Sequence, residues 1–189
     1  QVFPRDASLV SLAEAVLLFS QQPLEFEPGS KWQYSNSGIA TLGRIIEVTS
    51  GEPYETFIAK KIFEPLGMKD SFFFPPEDKT GRIALVYRSE NGKLSRADGT
   101  ILGGNAAEYR KGAKYPAPEF GLYTTATDLA AFYQMMLDGG AYKGKRLLSP
   151  ASVETMSRVH TAGIGKVGWL PGGSYGLAWE VIAEPLGTA

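Results

Sequence analysis

The chain has 189 residues, 43% of them hydrophobic and 12% aromatic, with a formal charge of −1 and no cysteine. That length and apolar content suffice for one domain with a real core. The near-zero charge argues against nucleic acid or an anionic membrane as main partner, and the missing cysteine excludes disulfides, thiol catalysis and cysteine-ligated zinc.

In chain order, the first helix is predicted from Ser8 to about Ser20, where Leu9, Leu12, Val16 and Phe19 recur at helical spacing. Pro23 and Pro28-Gly29 then hold an extended connection toward Trp32. Asn36 or Ser37 can cap a second helix, with Ile39, Leu42, Ile46 and Thr49 on one side and Gly51 as its stop. Pro53 suits the first turn of a third helix, with Tyr54, Phe57 and Ile58 facing inward. The runs Ile83 to Arg88 and Lys93 to Arg96 flank Asn91-Gly92, which predicts a small hairpin.

Gly99 to Pro118 holds glycines and prolines with little periodicity, and reads as a long surface loop. Thr125-Ala126-Thr127-Asp128 resembles a capping box opening a helix to Leu137, stopped by Gly139-Gly140. A shorter helix runs from Ser149-Pro150 toward Met156, and Tyr175 to Ile182 is the best late strand. No internal repeat or low-complexity linker divides residues 1–189, so they are expected to form one domain.

The chemistry concentrates in Phe26-Glu27-Pro28-Gly29-Ser30-Lys31-Trp32-Gln33-Tyr34-Ser35-Asn36-Ser37-Gly38. Tyr34 and Asn36, two positions apart at a loop-to-helix junction, can supply a proton acceptor and a hydrogen-bonding amide to one pocket. The tripeptide alone is also what an aromatic anchor before a helix cap looks like. No Ser-x-x-Lys occurs anywhere in the chain.

With its neighbours, this stretch resembles the serine β-lactamase and penicillin-binding-protein superfamily. The nearest branch holds class C β-lactamases, their esterase relatives and D-amino-acid peptidases. The resemblance continues through Leu42-Gly43-x-Ile45-Ile46-Glu47, Thr49-Ser50-Gly51 and Ile62-Phe63-x-Pro65-Leu66-Gly67-Met68-x-Asp70-Ser71. It resumes at Gly121 to Leu129 and ends at Tyr175-Gly176-Leu177-Ala178-Trp179, in family order over most of the chain.

The resemblance implies an α+β, mainly helical segment. It would comprise most of the helical domain of such a hydrolase, a small hairpin and one C-terminal sheet strand. That strand would lack partners, leaving an unpaired sheet edge open to association. The family's nucleophilic serine and its lysine lie upstream of the tyrosine motif, and a Lys-Thr-Gly or His-x-Gly motif follows the Gly-Leu-x-Trp segment. The chain is therefore expected to be an internal fragment of a longer enzyme and inactive alone.

By resemblance, the parent forms an acyl-enzyme on a β-lactam, ester or peptide-like amide. Tyr34 would share the nucleophile's proton and pass it to the leaving group, while Asn36 would orient the substrate amide or the catalytic lysine. The phenol's role calls for a neighbouring ammonium, since a tyrosine ordinarily titrates near about 10. Ser35 holds the variable middle position, with no direct role. The motif fits lactamases, peptidases and esterases alike. A second reading is a non-catalytic binding module or pseudoenzyme that keeps the helical domain.

Lys79-Thr80-Gly81 matches the third motif by letter but follows the turn-like Phe74-Pro75-Pro76-Glu77-Asp78, so it reads as an exposed, non-catalytic loop. His160, the only histidine, reads as an ordinary surface residue rather than a metal ligand. Phe132, Tyr133, Met135 and Met136 read as core, as do Phe72-Phe73-Phe74, while Lys60-Lys61 reads as a solvated face. Asp128 reads as a capping carboxylate. The expected partner is a small-molecule substrate (β-lactam, ester or D-amino-acid peptide), with no cofactor and no nucleic acid. No apolar run approaches the roughly 18 residues of a membrane span, and Gln1-Val2-Phe3-Pro4 is no signal peptide. The resemblance fits a periplasmic or secreted parent.

Overall fold

Serine, glycine and proline punctuation sets most of the element ends in this chain. The computed structural model describes residues 10–96, 112–165 and 167–182, and shows an α+β chain of helices and small antiparallel hairpins. Its contacts fall into two units, one from Gln1–Gln22 with Asn36–Leu129 and one from Pro23–Ser35 with Ala130–Ala189.

In the first unit, α1 (Leu12–Ser20) begins at Ser11, later than the predicted Ser8, which lies outside the described residues. Ser11 and Glu14 make a reciprocal capping box: the Glu14 N–H donates to Ser11 Oγ at 3.2 Å, and the Ser11 N–H donates to Glu14 Oε2 at 2.7 Å. Helix α2 (Asn36–Ser50) packs on α1 through small residues, with Ala40 and Gly43 buried. A Cβ on Gly43 would sit 2.5 Å from Pro118 Cγ, so only glycine allows this approach.

The predicted inner face of α2 is corrected accordingly. Of the four residues expected on one side, Leu42 is 56% exposed and Thr49 is exposed, while Ile39 and Ile46 are half-buried. The surface loop expected over 99–118 is also corrected where it is described. Tyr115, Pro116 and Ala117 are fully buried, and Tyr115 and Ala117 join Leu12, Ala15 and Ala40 in one core cluster. The Tyr115 hydroxyl donates to Glu119 Oε1 at 2.7 Å, which lets a phenol enter an apolar core. Residues 99–111 of that prediction lie outside the described residues.

After Pro53, helix α3 (Tyr54–Ile58) runs through a π-helical turn (Ala59–Phe63) into α4 (Glu64–Leu66). Gly67, at φ 71°, closes the run: its N–H donates to the Glu64 carbonyl and that of Met68 to the Phe63 carbonyl. This left-handed cap is why the chain reads Pro-Leu-Gly-Met. Phe73 is buried with its ring against Tyr54 and Phe63. Tyr54, pushed up to about 12 by burial and then by Glu119, stays a neutral phenol there. Phe72, Phe73 and Phe74 also line a shallow groove with Glu55, Lys60 and Phe63.

Lys79-Thr80-Gly81 lies in a 3₁₀ turn (Glu77–Arg82), not on a strand. Its lysine serves structure: Lys79 Nζ and Arg82 Nη1 reach Asp70 Oδ1 at 2.5 and 2.7 Å. Arg82 first and Lys79 second hold the Asp70 carboxyl down to about 2. A folded-state value below the ordinary one of about 3.9 stabilises the fold fully above about pH 4, and that contribution fades as pH falls toward 2. We expect the urea midpoint gap between the natural chain and Asp70→Asn to shrink across that window. A gap constant from neutral pH down to about 2 would contradict this account.

The hairpin prediction holds, with a shorter first strand. Strand β1 (Tyr87–Glu90) pairs antiparallel with β2 (Lys93–Arg96), Glu90 facing Lys93. Asn91 and Gly92 both have positive φ, 52° and 77°, as a two-residue turn requires.

Helix α5 (Ala126–Leu137), which belongs to the second unit from Ala130 on, buries Met135 and Met136 as expected. Tyr133 is instead exposed, its ring edge-on to Trp179 at 6.0 Å. The Gly139 and Gly140 N–H groups donate to the Met136 and Met135 carbonyls and stop the helix. The hairpin β3 (Ala141–Tyr142) with β4 (Lys145–Arg146) follows, then α6 (Pro150–Ser157), capped by Ser149 Oγ on the Ser152 N–H at 3.0 Å.

The single strand predicted over Tyr175–Ile182 is corrected. It is a hairpin of β5 (Gly173–Tyr175) and β6 (Glu180–Ile182), broken at Gly176–Trp179, where Ala178 takes φ 64°. The late strand therefore has a partner within the chain: Gly173 faces Ile182, Ser174 faces Val181 and Tyr175 faces Glu180. A Cβ on Gly176 would lie 2.2 Å from the Met156 carbonyl oxygen, which fixes the glycine of Tyr175-Gly176-Leu177-Ala178-Trp179.

Candidate active site

Tyr34 lies on the irregular stretch that ends the Pro23–Ser35 segment of the second unit, and 53% of it is exposed. Asn36 is the first residue of α2 and is half-buried. The residue after Tyr34, Ser35, is half-buried as well. Irregular backbone followed at once by helix matches the loop-to-helix junction expected at Tyr34 and Asn36.

Around Tyr34 the second unit gathers aromatic rings that local sequence does not link. The Tyr34 ring meets Trp169 edge-on, with centroids 5.2 Å apart. Trp169 is edge-on to Trp32 at 5.6 Å and to Tyr175 at 6.3 Å. Trp32 and Tyr175 pack at 5.0 Å, tilted by 43°. Edge-to-face pairs of this kind are worth roughly 0.5–1.5 kcal/mol each beyond the area they bury. Burial raises the Tyr175 phenol above its ordinary value, helped by the charge of Glu180 and by Tyr34.

The turn carrying Trp169 is pinned by a carboxylate. Glu180 Oε1 accepts the Trp169 N–H at 2.7 Å and the Leu170 N–H at 3.0 Å. Gly168 passes so close that a Cβ there would stand 2.3 Å from the same oxygen, and its φ is 74°. Sequence reasoning missed Trp169 and Glu180, which lie eleven residues apart and outside the motif blocks. The only local signal is a tryptophan set between Gly168 and Pro171-Gly172-Gly173.

The other candidates lie elsewhere. His160 is exposed; its Nε2 meets the Thr155 carbonyl at 2.7 Å, and its backbone N–H donates to the Tyr175 carbonyl. Lys60 and Lys61 are exposed, with Lys60 Nζ 3.0 Å from Glu52 Oε2. Asp128 is buried in the first unit, where it binds backbone and serine groups. Among the described residues, no helix is long and apolar enough to cross a membrane.

Comparison with known proteins makes the family definite. The Beta-lactamase family model matches residues 3–187, so the chain belongs to the beta-lactamase family. The chain is 33% identical to lovastatin esterase of Penicillium rubens over 140 residues, 73% of this chain and 33% of that protein. It is 30% identical to a putative D-alanyl-D-alanine carboxypeptidase of Escherichia coli K12 over 197 residues, 91% of this chain and 44% of that one. The octameric penicillin-binding protein homologue from Pyrococcus abyssi superposes with a TM-score of 0.65 at 26% identity, covering 89% of this chain and 34% of that chain. The chain thus spans less than half the length of these relatives.

Proposed function

We propose that these residues are an internal part of a longer serine hydrolase that forms an acyl-enzyme on an ester, a β-lactam or a peptide-like amide. Tyr34 is its proton-relay residue and Asn36 its substrate- or lysine-orienting amide. The observation that carries this reading is the placement of Tyr34. The phenol stands half exposed at the end of the irregular stretch before α2, inside a sequence block that resembles the family's tyrosine motif. The length of the relatives supports a longer parent, and the absence of Ser-x-x-Lys supports a nucleophile outside these residues.

In this mechanism the serine oxygen bonds to the carbonyl carbon and the bond to the leaving group breaks. The serine proton travels by way of the Tyr34 oxygen to the departing oxygen or nitrogen. Water then cleaves the acyl-serine ester and restores the enzyme. An esterase and a carboxypeptidase among the relatives support both ester and amide substrates. A periplasmic or secreted parent suits such a hydrolase.

The test is intact-mass analysis after incubation with a fluorophosphonate or a fluorescent β-lactam. We expect no adduct on the 189-residue chain and one adduct per molecule on the longer gene product. An adduct on the chain itself would place the nucleophile among its own serines and overturn the reading. No adduct on either protein would favour the binding-module alternative.

A further inference from the structure

Trp169 combines two properties that a purely structural tryptophan does not need together. Its side chain is 60% exposed, although indole is among the most valuable side chains to bury. Its backbone, in contrast, is held tightly. Two successive amides, at Trp169 and Leu170, donate to one oxygen of Glu180, and Gly168 takes the left-handed φ of 74° with its Cβ position 2.3 Å from that oxygen. Among the described residues the ring is thereby fixed beside Tyr34, in edge contact with Trp32 and Tyr175, with much of its surface uncovered. A rigid, uncovered aromatic surface binds apolar groups with little ordering cost.

We propose that Trp169 is a specificity-determining residue. With Trp32 and Tyr175 it forms an aromatic wall beside Tyr34 that receives a flat apolar group of the substrate, and Glu180 is the positioning residue that holds the wall in place. This rests on the reading of Tyr34 as the proton relay and adds the substrate class: esters or amides that carry an aromatic ring next to the scissile carbonyl. The ring can belong to the acyl part or to the leaving group, since both flank the same carbonyl.

The experiment uses the longer hydrolase and three esters: ethyl acetate, ethyl phenylacetate with its ring on the acyl side, and phenyl acetate with its ring on the leaving side. Each variant is compared with the natural protein on the same ester, which cancels the esters' own reactivities. Trp169→Ala is expected to lower kcat/KM about tenfold on at least one ring-bearing ester, mainly through KM, with ethyl acetate within about twofold. Whichever ester falls identifies the side that meets the wall. Trp169→Phe, which keeps a ring, should retain most of the preference.

Glu180→Ala should reproduce the Trp169→Ala pattern. Glu180→Gln should not, because one amide oxygen can accept both N–H groups that Glu180 Oε1 now accepts. Equal losses on all three esters, no loss on any, or Glu180→Gln as harmful as Glu180→Ala would overturn the proposal. Tyr34→Phe is the separate control and should slow all three esters alike. If it leaves them unchanged, the relay reading fails, and the wall fails with it as a catalytic feature, whatever Trp169→Ala shows.

Discussion

Replacing Tyr34 with phenylalanine is expected to lower kcat of the longer hydrolase by about 10²–10⁴, with KM changing far less. Phenylalanine keeps a ring for the edge contact with Trp169 and removes only the hydroxyl, so the aromatic cluster should stand. What is lost is the oxygen that accepts the serine proton in the transition state and delivers it to the leaving group. A group used only in the transition state shows its loss in kcat and kcat/KM equally. A wall-only role would instead raise KM on ring-bearing esters and spare kcat. Steady-state kinetics on one activated ester separates the two, and a kcat within about threefold of the natural protein would exclude the relay role.

How much of this could be read in the sequence depends on how far apart the interacting residues are. Asn91-Gly92 announces its hairpin because both residues must take positive φ, and they do. Gly51 and Ser149 likewise announce helix ends, Gly51 at φ 73° just past α2 and Ser149 through a side-chain cap. These are local backbone requirements. Tyr34 and Asn36 were legible for a different reason, as letters in a family motif, and their chemistry comes from that resemblance.

Long-range packing was not legible. Tyr115 and Ala117 sit in a stretch with neither helical nor strand period, yet they fill the core against residues about 75 to 105 positions earlier. Periodicity favours Leu42 as the inner residue of α2. The helix turns Ala40 and Gly43 inward instead, and at Gly43 Pro118 and Leu12 leave no room for a side chain. The late strand was misread because alternating apolar residues hide a turn at Gly176–Trp179, set by the close approach to Met156. Trp169 and Glu180 carry no motif at all: their connection exists only once the hairpin aligns β5 with β6.

Asp128 shows the same split between local and distant information, and it gives the largest expected effect on stability. As the capping reading expects, its N–H donates to Thr125 Oγ1 at 3.2 Å at the start of α5. Its carboxylate does not complete a capping box but reaches back nearly sixty residues. Asp128 Oδ2 accepts the Asp70 N–H at 2.8 Å and the Ser71 hydroxyl at 2.8 Å, while Ser71 Oγ also lies 2.8 Å from Thr124 Oγ1. Ser71 and Asp128 are both buried, at 8% and 9% exposure, so water cannot replace the lost acceptor. Asp128→Ala would strand the Asp70 N–H, at about 1–3 kcal/mol, and leave the Ser71 hydroxyl only the neutral Thr124 Oγ1 as acceptor. Against a typical stability of about 5–15 kcal/mol, this cost is a large share. Asp128→Asn is the discriminating partner, because its amide oxygen can take both bonds in place of Oδ2. Urea or thermal unfolding should therefore rank natural chain, Asn variant and Ala variant in falling order, with Asn much closer to the natural chain. If the Ala variant unfolds within about 0.5 kcal/mol of the natural chain, this buried tie does not hold the Asp70-Ser71 turn to α5.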